Sequence, residues 1–314
     1  MHPIPSKSLT ALLLVPAIAL LAGCGSGSRS TSPLSNGTTG SSDRIEIDQQ
    51  LVLHPEMLDD GGLSSDPSQS SLSTAAGAIP ASAAAAIRPL FFWRHVIHAE
   101  RRFEFAFADT DSTGRPGRAL VTVFRTLTGD FNLVVGDSGS AGSGRVVTKP
   151  LVDHWVRHVE LRRVRLTAGG RPVWRIVAAS AARVTARGAT AHIESVRVQG
   201  ADLDTTLTDP LRLFRLRQVL RFAPDTPVTL TVTTRHADDT VLLYAADRRL
   251  QFKNNGDGTY TGTWMTPDLR GLRHIGVNAL AHGTLFDDAA PYDSQAWMMP
   301  YVVTGQEMGD YLGP

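Results

Sequence analysis

The sequence predicts a mainly β protein. An antiparallel β domain over residues 90–208, either a sandwich or an open barrel-like sheet, is expected to precede a β-sandwich over 209–304, both behind a disordered N-terminal tether. Three observations predict this. Phe103, Phe105 and Phe107 alternate with Glu104, Ala106 and Ala108, the period of two of a half-buried strand. From residue 215 onward, short alternating runs are separated by turn residues about every ten positions, the spacing of a sandwich. Residues 24–42 are rich in Gly, Ser and Thr and too polar to offset the entropy of ordering.

Taken in order, residues 1–23 combine Lys7 with an apolar run from Leu9 to Ala22, the plan of a secretory signal. The run is shorter than the roughly 20 residues that span a bilayer. Pro16 also removes a backbone donor inside it, so the segment is expected to be cleaved. The tether of 24–42 would span on the order of 25 Å as a coil. Residues 43–89 read as a mostly irregular stalk: Ile45, Ile47 and Leu51-Val52-Leu53 supply one short strand or turn, and Pro80 and Pro89 restrict the alanine run.

In the first β domain, Asp109 to Gly117 supplies a hairpin turn, residues 119–127 a strand, and Gly129-Asp130 a further turn into residues 131–136. Residues 158–166 and 173–180 flank a Thr-Ala-Gly-Gly-Arg-Pro turn as another hairpin, with a strand from His192 following. A strongly curved α+β cone of the NTF2-like type is the rival, but no trio of N-terminal helices supports it. Asp209-Pro210, an N-cap acceptor followed by proline at N1, predicts a short helical link over 209–214. Seven short strands fill 215–303, and 305–314 is a loosely held tail.

Leu21-Ala22-Gly23-Cys24 holds the chain's one cysteine and resembles the lipobox of bacterial lipoproteins. The resemblance covers residues 1–24. It implies a diacylglycerol on the Cys24 sulfur, signal removal before Cys24 and N-acylation. One acyl chain anchors marginally, whereas several hold firmly. Gly25, not Asp, follows the cysteine, which by the same resemblance directs the protein to the outer membrane. A second resemblance covers about 80–90 residues. Asn255-Gly256-Asp257-Gly258-Thr259-Tyr260 and the strand through Trp264 are similar to the turn and following strand of bacterial Ig-like domains. Gly256 and Gly258 permit positive φ, and Tyr260 and Trp264 share a strand face.

Composition narrows the function. The chain has 31 Lys+Arg and 30 Asp+Glu. Lys7 is the only one of these before residue 24, leaving 30 against 30. That balance gives no basic footprint for nucleic acid. Lys7, Lys149 and Lys253 are the only lysines, which reads first as a coding bias. With Cys24 acylated no thiol remains for a disulfide, so the fold must rest on core burial.

Several constellations carry candidate chemistry, each with a plainer reading beside it. His154 and His158 would share a helix face and could bind Zn²⁺, but Trp155 stands where a zincin has its glutamate. On a strand the two histidines lie about 13 Å apart, too far for one ion. Asp109-Thr110-Asp111 resembles the start of a calcium loop, yet Leu120 occupies position 12 where an acid is needed; a turn held by Asx bonds fits better. Ser138 in Gly136-Asp137-Ser138-Gly139 resembles a protease nucleophile, without the length upstream that such a fold requires. Asp202, Asp204, Asp209, Asp287 and Asp288 are scattered carboxylates that sequence cannot pair for glycoside hydrolysis. The five tryptophans, 93, 155, 174, 264 and 297, offer stacking or core. The arginines of 161–166 and 211–217 suit either an edge-protecting surface or an anionic partner.

The expectation is a lipid-anchored outer-membrane protein with a non-catalytic binding or scaffolding role and no cofactor. Its partners would be the membrane through Cys24 and an envelope protein or glycan. An envelope hydrolase or metal-dependent enzyme acting on a glycan, ester or peptide is the alternative.

Overall fold

In the computed structural model the described residues are 38–59, 63, 87–136, 144–166, 169–245 and 248–304. Cys24, Ser138 and the tail 305–314 lie outside them. The described chain is mainly β, with antiparallel sheets. Its strands are β1 (Arg88–Thr110), β2 (Pro116–Gly136), β3 (Gly144–Val164), β4 (Val173–Ala186), β5 (Ile193–Gln199), β6 (Asp204–Leu207), β7 (Phe214–Arg215) and β8 (Leu220–Phe222). They continue with β9 (Pro227–Thr234), β10 (Thr240–Ala245), β11 (Arg248–Gln251), β12 (Lys253–Asn254), β13 (Thr259–Met265), β14 (Gly271–Leu280) and β15 (Ser294–Val303). Helices α1 (Thr38–Leu53) and α2 (His282–Phe286) precede β1 and β15.

The first three strands run 23, 21 and 21 residues, longer than the turn signals suggest. Gly129-Asp130 is not a turn; it sits inside β2, paired with Leu151 and Pro150 of β3. The apolar residues before and after it, Val121 to Leu127 and Phe131 to Val135, occupy the same odd-numbered face, so no reversal is required. The hairpin between β1 and β2 is as expected. Asp111 Oδ1 accepts from Thr113 N (2.8 Å), Thr113 Oγ1 (2.6 Å) and Arg115 N (3.0 Å). Gly114 takes φ +78°.

One sheet runs β1-β2-β3-β4-β15-β14-β10-β11, with β7 added to β4 and β8 to β15; the other runs β12-β13-β9-β5-β6. The C-terminal strands follow an immunoglobulin-type order. Here β9, β12 and β13 act as B, D and E, and β10, β14 and β15 as C, F and G, with β8 beside β15 in parallel. Between the sheets lies one core, including Val228, Leu230, Tyr260, Trp264, Val277 and Trp297. The turn before β13 has Gly256 at φ +86° and Gly258 at +83°, and Tyr260 and Trp264 both point inward.

A second core lies under β1–β4 and the opposite face of the shared sheet, and includes Phe92, Leu133, Trp155, Trp174, Leu242, Tyr244 and Met298. Strands β10 and β15 therefore send alternate residues to two cores. Leu242 and Tyr244 face one while Val241 and Leu243 face the other, and both strands are buried throughout. The two end strands of this sheet approach each other: Arg249 of β11 donates to the Phe92 carbonyl of β1 (2.9 Å).

This topology corrects the expected boundary at 208/209. β5 and β6 join the sheet of β9 and β13, and β4 pairs with β15. Each half lacks the strands to cover its own apolar faces, so both complete one architecture. The tether and stalk readings are corrected where they cover residues 38–59, and residues 24–37 and 64–86 lie outside the described residues. α1 begins at Thr38, and Ile47 and Leu51, spaced i and i+4, are fully buried in the second core. Each contributes about 1.5–3 kcal/mol. The helical link expected over 209–214 is a turn: Asp209 Oδ1 accepts from Leu211 N (2.9 Å), and Phe214 and Arg215 then pair with β4. The capping acceptor works, but the pairing with β4 stops any helix.

Candidate functional site

β3 builds the most unusual chemistry in the molecule. It sends Val147, Leu151, Trp155, Val159 and Leu161 into the core, and with the same period it sends Lys149, Asp153 and Arg157. Lys149 Nζ donates to the carbonyls of Gly283 (3.0 Å), Thr284 (2.8 Å) and Asp287 (2.6 Å) around α2. Burial lowers its ammonium to about 8, against the opposing pull of Asp287 and Asp288. All three ammonium protons have acceptors, so Lys149 is a clamp on α2 and not a poised nucleophile.

Asp153 lies 3.6 Å from Arg94 and accepts from the Tyr292 hydroxyl (3.1 Å). Turned so that its oxygen faces Arg94, the Asn278 amide accepts from Arg94 Nη2 (3.0 Å) and donates to Ser294 Oγ (2.7 Å). Burial raises the Asp153 carboxyl above its ordinary range, with Arg94 opposing; it raises the Tyr292 phenol well above its own. Arg157 donates to the carbonyls of Met57 and, at 3.4 Å, Met298. These groups join β1, β3, β14 and β15 from within and hold the residues after α1.

The expected metal ligands are not brought together. His154 and His158 lie on β3 facing away from the core; His154 is exposed and His158 Nδ1 contacts the Leu211 carbonyl at 3.2 Å. Asp111 is spent on its own turn, and its hydrogen bonds with Thr113 and Arg115 lower its carboxyl. Asp109 holds φ +56° at the same turn. Among the described residues no three His, Cys, Asp or Glu side chains group as metal ligands. Four of the scattered carboxylates, Asp204, Asp209, Asp287 and Asp288, have a local bond. Asp204 pairs with Arg197 (2.5 Å), Asp288 with Arg145 (2.6 Å), and Asp287 Oδ1 accepts from Ala289 N (2.9 Å). Trp155, Trp174, Trp264 and Trp297 are core; Trp93 is half-buried beside Phe91. The arginines of 161–166 do not all face solvent: Arg163 turns inward to Asp43.

A concavity of about 390 Å³ opens between residues 200–205 and 218–226, a size in the range of small-ligand sites. Its floor includes Leu203, Val219 and Phe222; Asp202, Gln218 and Arg221 are exposed at its rim. Phe222 stacks edge-on against Trp264 (5.7 Å), which fixes that wall. The groove combines apolar surface at its floor with charge at its margin.

One further buried acid stands at the far end of the sandwich. Asp239, between β9 and β10, is 4 % exposed, and among the described residues neither carboxylate oxygen has a hydrogen bond of ordinary geometry. The neighbouring Thr234 hydroxyl is spent on the His236 carbonyl (2.8 Å). Burial pushes the Asp239 carboxyl up to about 7, with His236 opposing and Asp238 and Asp293 adding to the rise. Its stabilising contribution is complete below the ordinary carboxylate range near pH 4. It is lost as pH rises through about 7. Unfolding stability is expected to fall by up to about 1.4 kcal/mol per pH unit between pH 5 and 7. Asp239→Asn should flatten that slope in urea titrations; an unchanged slope would assign the effect elsewhere.

No family model, curated protein or solved structure matches this chain.

Sequence reasoning missed Arg94, Lys149, Asp153 and Tyr292. The only signal is that Lys149, Asp153 and Arg157 keep step with the apolar residues of β3, and a reader expects charges on the opposite phase.

Proposed function

We propose that this is a lipid-anchored cell-envelope protein whose β scaffold binds or organises an envelope protein or glycan without catalysing a reaction on it. The observation that carries the reading is Leu21-Ala22-Gly23-Cys24 behind the Lys7 and Leu9–Ala22 segment, with no other cysteine in the chain. Gly25 after the cysteine supports an outer-membrane anchor, by the same lipoprotein resemblance. The binding half of the reading is supported by the groove at 200–226. It is also supported by the engagement of Lys149, Asp153, Asp111 and His158 in contacts that hold the fold.

The test is the fate of Cys24. Protein extracted from native membranes should yield an N-terminal peptide beginning at Cys24 and carrying a diacylglyceryl group by mass spectrometry. In a high-salt wash that screens charge, Cys24→Ser should move the protein from the membrane pellet to the soluble fraction. An unmodified Cys24, or a Cys24→Ser protein that stays as firmly in the pellet, would remove the anchor.

A further inference from the structure

Three arginines stand side by side across three strands. Arg118 of β2 pairs in register with Arg162 of β3, and Arg162 pairs in register with Arg175 of β4. Like charges directly opposite one another destabilise a sheet, and a local rule broken with only partial internal compensation points to function. One carboxylate, Glu160, serves this row: it accepts from Arg118 Nη2 (3.1 Å) and Arg162 Nε (3.0 Å). Among the described residues no ion pair engages Arg165 or Arg175, and both are exposed. Beside them Leu166 is 60 % exposed. A cationic row edged by a bare leucine matches the outer layers of a bilayer, with phosphates above and hydrocarbon beneath.

The chain enters the fold at the same place. Asp43 accepts from Arg163 and from Trp174 Nε1 (3.2 Å), and Glu46 pairs with Arg171. These bonds lay the first turns of α1 against the end of the β3–β4 hairpin. Thr38 lies five residues before Asp43, about 7.5 Å along a helix axis. Residues 25–37 connect Thr38 to Cys24 and can reach no further than about 45 Å. Ile45, on the adjoining turn of α1, is 59 % exposed.

From this juxtaposition we propose that the β3–β4 hairpin end is the membrane-facing pole of the protein, where Arg162, Arg165, Arg175 and Leu166 rest on an anionic lipid surface. The proposal rests on the anchor for its biological setting. The anchor holds the chain near the bilayer, and the arginine row fixes which end faces it.

The experiment uses the mature chain carrying Cys24→Ser, so that no acyl chain contributes. It is sedimented with phosphatidylcholine vesicles, with and without phosphatidylglycerol. Binding is expected only with phosphatidylglycerol and should weaken as salt screens the charges. Arg162→Gln/Arg165→Gln/Arg175→Gln should lower partitioning on the order of 100-fold. Should that variant fold poorly by circular dichroism, Arg165→Gln/Arg175→Gln removes only charges outside any ion pair, and a loss on the order of 20-fold is expected. Arg187→Gln/Arg212→Gln/Arg235→Gln removes as many exposed arginines elsewhere and should bind as the parent does. Equal binding to both vesicles, or an equal loss in the control variant, overturns the pole. An unacylated Cys24 in native membranes would overturn the anchor and leave the vesicle result standing, so the two failures are distinct.

Discussion

Asp153→Ala is expected to lower the free energy of unfolding by about 3–5 kcal/mol, because it strands a buried arginine. Arg94 and Asp153 have side chains 1 % and 2 % exposed. The carboxylate is raised by burial despite Arg94 beside it, which says that desolvation outweighs the attraction. Breaking the pair from one side therefore costs more than the pair contributes. The same balance makes the double variant informative. Arg94→Met/Asp153→Leu takes both charges out of the core and should recover most of the loss, ending within about 1–2 kcal/mol of the parent. Urea unfolding of Arg94→Met, Asp153→Leu and the double closes a thermodynamic cycle. A cheap Asp153→Ala, under about 1 kcal/mol, would mean that water reaches the pair.

Gly129→Ala should cost about 3 kcal/mol or more through overpacking against backbone. A Cβ at Gly129 would lie 2.0 Å from the His95 carbonyl oxygen and 3.0 Å from Ile97 N. Neither atom can swing away as a flexible side chain would. The crowding arises because β1 shifts register between Val96 and His98, with Ile97 as the extra residue. This bulge reverses the phase of the strand. Before it, Phe92 and Arg94 point inward; after it, Phe103, Phe105 and Phe107 do. A slip of one residue turns every later side chain to the opposite face. Deleting Ile97 in the Gly129→Ala background removes the extra residue, lets His98 follow Val96 with every later partner unchanged and makes room for the methyl group, so it should restore much of the lost stability. Thermal unfolding of both variants checks this; a double variant as unstable as Gly129→Ala alone would show that the bulge is not what crowds Gly129.

The same bulge explains how the sequence could be read correctly in pieces and wrongly at a larger scale. Phe103 to Phe107 and Phe92 are each legible as strand, yet their opposite parity suggests separate elements. The long β2 was hidden by Gly129-Asp130, whose composition is that of a turn and whose glycine instead accommodates the bulge opposite. Local chemistry that closes on itself was legible. The Asp111 turn and the Asn255 to Tyr260 turn need only positive φ and a carboxylate two residues from an amide, and both form as expected. Charges inside the sheet were not legible, since Asp153 is tolerable only where Arg94 and Tyr292 arrive from strands far along the chain.

The sequence by itself determined that the protein is mainly β and antiparallel, which short-range alternation and turn residues encode within a few positions. It also presented Leu21-Ala22-Gly23-Cys24, whose meaning lies in four adjacent residues. The tertiary structure alone decided that the two expected β domains share their sheets. It alone placed α1 on the core, turned Arg163 inward and aligned Arg118, Arg162 and Arg175 in one row. Each of these depends on which strand edges meet, and edge pairing is set by covering apolar faces across the whole chain.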